Sequence, residues 1–159
     1  MSEHRALVRW TQAGGSFVAS QYSRAHQWSF DGGLSIPASA APGNVAGPYA
    51  DPTAVDPEEA FVAAVSSCHM LFFLYLAARA GFEVASYEDD AVGHLTADAA
   101  GRKWMSLVEL APRVAYVPGR APAAAREAAL HHESHEQCYI ANSVRTEIRV
   151  LPAPAPALA

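Results

Sequence analysis

An α+β fold is what this sequence predicts, and three observations predict it. Short runs of alternating apolar and polar residues open and close the chain. A long uncharged segment with strong capping residues stands near the middle, and an amphipathic segment follows later. The order of elements is strands, helix, strands, helix, strand. Strands grouped in this way favour helices packed on an antiparallel sheet over an alternating parallel one.

Ala6-Leu7-Val8-Arg9-Trp10 and Ser16-Phe17-Val18-Ala19-Ser20-Gln21-Tyr22 read as strands, and Thr11 to Gly15 between them as a hairpin turn. His26-Gln27-Trp28-Ser29-Phe30 is a third strand, ended by Asp31-Gly32-Gly33. Residues 37–55 are rich in Pro, Gly and Ala and predict an irregular loop, long enough to suggest function or an interface.

The first helix opens at Asp56, a good N-cap. Pro57 suits the first helical position, and Glu59 completes a capping box. Gly81 marks its end. The 19 residues from Ala60 to Ala78 carry no charge, which is enough to span a bilayer. Ser66-Ser67-Cys68-His69 sit at the centre of that run, however, where a membrane tolerates polar groups least. We therefore expect no membrane contact and a helix buried on nearly all sides. One small domain has little to cover it, so a partner subunit is expected to help.

Two strands at about 83–98 and 103–117 should pair around Ala99-Ala100-Gly101-Arg102. A second helix should run from Pro122 to about Gln137. Residues 144–151 alternate as a half-buried final strand. Residues 1–151 are read as one domain, and 152–159 as a mobile Pro/Ala-rich tail.

Bulk properties remove several functions. Net charge is −5, and the 11 Lys and Arg residues are scattered, so nucleic acid is a poor partner. No phosphate-binding glycine motif is present, and no cofactor is expected. The opening Met1-Ser2-Glu3-His4-Arg5 lacks the layout of a secretory signal. The expected compartment is the cytoplasm, where a disulfide is more often catalytic or redox-sensing than structural.

Two cysteines are the candidates for chemistry. A reactive Cys68 would need a cation to stabilise its thiolate. The helix N-terminus is too distant, and adjacent His69 points to another side of a helix. An arginine held by a carboxylate is the better source. Glu58 lies near the same helix face as Cys68, about 15 Å away along the axis. The plainer reading makes Cys68 a small core residue and Glu58 a first-turn carboxylate. Met70, Phe72 and Phe73 are read as ordinary core, with an apolar pocket as the alternative. His131, His132 and His135, with Glu133 and Cys138, permit a metal, His131 and His135 standing at i,i+4, but no CxxC is present and no metal is expected.

The segment from Asp56-Pro57-Glu58-Glu59 through Cys68 to Gly81-Phe82 resembles the central helix of the OsmC/Ohr family, the osmotically inducible and organic-hydroperoxide-resistance proteins. In that family Asn/Asp-Pro-Glu caps a long helix, and the peroxidatic cysteine follows the glutamate by ten residues. Ser134-His135-Glu136-Gln137-Cys138-Tyr139-Ile140-Ala141-Asn142-Ser143 is similar to the family's Ala-His-x-x-Cys-Pro-x-Ser-Asn, with Tyr139 in place of proline and Ser134 in place of alanine. Residues 23–33 resemble its N-terminal segment.

The resemblance implies an OsmC-like α+β fold, an antiparallel sheet on a long central helix, in an intertwined homodimer. It implies a thiol peroxidase for organic hydroperoxides. Cys68 would be oxidised and Cys138 would resolve it, and an external dithiol, lipoyl or similar, would reduce the disulfide. Arg24 would activate Cys68 and Glu58 would orient Arg24, with Arg5 or Arg9 as alternative cations. The alternative function on the same fold is redox sensing or small-ligand binding without turnover.

Overall fold

The computed structural model describes residues 1–45 and 47–151. The tail at 152–159, expected to be mobile, lies outside the described residues. The chain divides into two compact units, Met1–Ala60 and Phe61–Ala159.

In the first unit β1 (Ala6–Arg9), β2 (His26–Phe30) and β3 (Ser35–Ala38) form an antiparallel sheet in that order. Val8 faces Trp28, and Trp28 faces Ile36. The strand expected at 16–22 is not formed, and β1 pairs with β2 instead. Ser20 N–H donates to the Phe17 carbonyl and Gln21 N–H to that of Ser16, closing a reverse turn. Phe17 and Tyr22 stack with ring centroids 4.6 Å apart, and both meet Trp10. That aromatic cluster outweighs the strand propensity of the same side chains. Gly15 makes the approach possible, since a Cβ there would lie 1.9 Å from the Gln21 carbonyl oxygen.

The loop expected at 37–55 begins inside β3, with Pro37 paired to Gln27. Among the described residues the rest holds a short 3₁₀ turn at Pro42–Asn44 and no further strand or helix before α1. Ser39 N–H donates to the Val55 carbonyl and ties the loop's two ends together.

Helix α1 (Pro57–Arg79) begins and ends as its capping residues dictate. Glu59 N–H donates to Asp56 Oδ1 at 2.8 Å, and Asp56 N–H to Glu59 Oε2 at 3.2 Å. At the far end Gly81 takes φ +81°, Phe82 N–H reaches the Ala77 carbonyl, and Gly81 N–H that of Ala78. This is a Schellman termination.

In the second unit α1 buries Val65, His69, Phe73 and Ala77, one line at four-residue spacing. Val65 packs with Val108 and Leu110, and Phe73 and Ala77 pack with Leu130. The expected all-round burial is not found, because one chain supplies cover for one side. Leu71 is 60% exposed and Tyr75 52%.

The expected two-strand hairpin is four strands. β5 (Val92–Ala97) pairs with β6 (Lys103–Leu110), and β4 (Val84–Asp89) with β7 (Pro112–Tyr116), both antiparallel. The break falls at Asp89, whose Oδ1 accepts Ala111 N–H at 2.7 Å and whose Oδ2 accepts the Ser66 hydroxyl on α1. This carboxylate takes the place of ladder partners where the sheet divides. Helix α2 (Ala124–Gln137) starts two residues after the expected Pro122. Strand β8 (Glu147–Val150) then joins the edge of β6 in parallel, an exception to the antiparallel expectation. Its Ile148 and Val150 are half-buried while Glu147 and Arg149 are exposed, as the alternation requires.

Candidate active site

Cys68 projects from the middle of α1 and Cys138 caps the C-terminus of α2. The fold brings these two thiols, distant in sequence, close enough for Cys68 to weigh on the ionisation of Cys138, and both are free. Cys68 is half-buried and Cys138 only 1% exposed. Burial, followed by the hydrogen bond with Cys68, pushes the Cys138 thiol up to about 11. Backbone N–H groups of Ala141 and Ile140 oppose this from the turn after α2. The Ala141 N–H lies 3.4 Å from Cys138 Sγ. Cys138 is therefore a neutral thiol at neutral pH, and Cys68 is the sulfur open to reagents from solvent.

Cys138 is held at both ends. Its own N–H donates to the His135 carbonyl, and its carbonyl accepts Asn142 N–H at 3.0 Å. Asn142 Nδ2 donates to the Glu136 carbonyl, and the Ser143 hydroxyl to that of Tyr139. Tyr139 meets Phe72 edge-on, with centroids 5.0 Å apart and planes at 90°. Phe72 therefore faces the post-α2 turn, while Phe73 belongs to the core.

A histidine pair, one ring buried and the other half-buried, lies between the same two helices. His69 is 1% exposed, and its Nε2 is 3.1 Å from His131 Nδ1. The two rings are within 5° of parallel with centroids 5.4 Å apart, and Phe73 stacks on His131 at 4.2 Å. Burial holds both imidazoles down to about 4, and for His69 the neighbouring His131 and His135 add to the effect. His131, read from sequence as a possible ligand, is thus engaged inside the protein. A cavity of about 680 Å³ opens between α2 and β8, lined by Glu127, His131, His132, His135 and Ile148 among others.

Arg24 and Glu58 both belong to the first unit and are not bonded to each other. The Arg24 guanidinium donates to the Ser20 and Tyr22 carbonyls and lies 3.7 Å from the Tyr22 ring centroid. Glu58 accepts Asn44 Nδ2 at 3.3 Å. Arg5 is paired with Glu3 at the exposed N-terminus. The His69–His131 pair and the Phe72–Tyr139 contact were not foreseen. One local signal existed for the second: Phe72 is four residues after Cys68, on the same helix face.

The model of the OsmC-like protein family matches residues 50–151, the span holding the α1 capping box and both cysteines. The chain belongs to the OsmC-like family. An OsmC-like protein of unknown function from Vibrio cholerae is 47% identical, with a TM-score of 0.91 over 95% of this chain and 99% of that one. An organic hydroperoxide resistance protein from Legionella pneumophila has a TM-score of 0.67 at 18% identity over 94% of each chain. The organic hydroperoxide resistance protein OhrB of Bacillus subtilis has a TM-score of 0.64, also at 18% identity, over 94% of this chain and 96% of that one. At that identity the last two share the fold. No curated protein matches the chain. The OsmC-like α+β fold expected from the sequence is thus the observed one.

Proposed function

We propose that this OsmC-like protein is a cysteine-based peroxidase that reduces organic hydroperoxides. The observation that carries the reading is the proximity of two free thiols from the middle of one helix and the end of another, one half-open and one buried. The hydroperoxide-resistance names of two fold relatives support the same chemistry. In the proposed cycle the Cys68 thiolate attacks the distal peroxide oxygen. The O–O bond breaks, the alcohol leaves with a proton, and Cys68 becomes a sulfenic acid. Cys138 then attacks that sulfur, forming the disulfide and releasing water. An external dithiol, lipoyl or similar, restores both thiols. Arg24 is proposed as the cation that stabilises the thiolate and polarises the peroxide, and Glu58 as the carboxylate that orients it.

The protein is further proposed to work as a cytoplasmic, intertwined homodimer. The uncovered apolar side of α1 at Leu71 and Tyr75 supports this, as do exposed Leu7, Val8 and Val18 in the first unit.

The test is a thiol count on quenched, denatured protein before and after one equivalent of an organic hydroperoxide. Rapid loss of both thiols to an intramolecular Cys68–Cys138 disulfide is the expected result. Two thiols surviving for minutes would refute the peroxidase. A second reading, ligand binding without turnover, is favoured by the cavity between α2 and β8. It would gain from that negative result.

A further inference from the structure

Resolution requires Cys138 to stay over Cys68 while the sulfur it must attack changes from thiolate to sulfenic acid. Cys138 sits at a helix C-terminus, where the last carbonyls lose their intrahelical partners and are satisfied by the chain that follows. Its place is therefore set by what anchors the turn behind it, Tyr139 to Ser143. That turn packs on the core and meets α1 beyond Cys68. Ile140 packs against the core cluster that contains Val65, one turn before Cys68. Tyr139 meets Phe72, one turn after it.

The Tyr139 contact is not ordinary core packing. Its side chain stays 73% exposed while the ring keeps an edge-on geometry at 5.0 Å. The same residue's carbonyl accepts the Ser143 hydroxyl at 2.7 Å, so the ring is attached to the stapled part of the turn. We propose that Tyr139 is a positioning residue for disulfide closure. Its ring clasps Phe72 and keeps Cys138 Sγ aligned on Cys68. This deepens the two-cysteine reading above and rests on it for its biological meaning.

The test uses a route to the disulfide that needs no peroxide. With the aryl disulfide dithiobis-nitrobenzoate, the Cys68 thiolate attacks one sulfur of the reagent, forms a mixed disulfide and expels one coloured aryl thiolate. Cys138 then loses its proton to solvent, attacks the Cys68 sulfur and expels the second. The first release reports reagent access to Cys68, and the second reports closure. In Tyr139→Ala the second release should slow by up to about tenfold, the ceiling for one aromatic pair. The first should stay within about twofold of wild type. Tyr139→Phe keeps the ring and should restore closure.

Closure in Tyr139→Ala at the wild-type rate would overturn the proposal. So would slow closure that the phenylalanine does not rescue, equal slowing of both steps, or a wild-type protein that never releases the second thiolate. A wild-type protein that closes with the aryl reagent yet ignores organic hydroperoxides would refute the peroxidase and leave the role of Tyr139 standing.

Discussion

A buried thiol and a half-open one are unequal partners, and the inequality assigns their roles. Cys138, held as a neutral thiol by burial, is shielded from solvent, and in the proposed cycle it meets chemistry that arrives through Cys68. Cys68→Ser should abolish hydroperoxide consumption. Cys138→Ser should consume about one equivalent and then stall with Cys68 as a sulfenic acid or higher oxide, read by mass after trapping with dimedone. Equal turnover in both variants and wild type would end the mechanism. His69 and His131 set a second residue-scale expectation. Both are held near 4 in the fold against an ordinary value of 6.5. Between those values the unfolded chain binds more protons, so stability rises with pH. It should be complete above about pH 6.5 and be lost as pH falls toward 4. For His69 alone this is on the order of 3 kcal/mol. The groups facing the pair are His135, which adds to the effect on His69, and Asp89, which partly offsets burial at His131. Urea midpoints across pH 4–8 would check this, and His69→Phe should flatten the profile.

Local hydrogen bonds govern the elements. The reciprocal Asp56–Glu59 box satisfies two N–H groups that helix geometry leaves orphaned at the start of α1. Asp56→Ala should cost about 1 kcal/mol in urea unfolding. A variant as stable as wild type would mean that the start of α1 is held by other contacts. Asp89 works across elements, accepting from Ser66 on α1 and from the Ala111 backbone at the break between β6 and β7. It fixes the height of α1 over the strands, and with it the height of Cys68.

Burial of α1 is one-sided, and this bears on the assembly of the whole molecule. Val65, His69, Phe73 and Ala77 face the core while Leu71 and Tyr75 face outward from the same helix. An apolar surface of this kind is stable when a second surface covers it. Leu71→Glu should shift a dimer toward monomer in light scattering with the fold kept by circular dichroism. A wild-type protein that is monomeric at all concentrations would refute the dimer.

The sequence by itself determined both ends of α1, the turn near residues 98–102, the second helix and the final strand. Each of these signals acts within a few residues, through a cap, a positive-φ glycine or an alternation, so it is complete in a short window of sequence. It also marked both cysteines, through their surroundings and the family motif. Tertiary structure decided the rest. Cys68 and Cys138 meet because α1 and α2 pack on the same strands, a fact that no local window contains. The segment at 16–22 became a turn because Trp10, Phe17 and Tyr22 found one another. Where the long hairpin divides, the Asp89 carboxylate accepts the Ala111 N–H and the Ser66 hydroxyl of α1, partners 22 and 23 residues away. His69 and His131 are 62 residues apart in sequence, and nothing local to either specifies the other. Contacts of that separation depend on where the core places each surface, and the core forms from all the elements together.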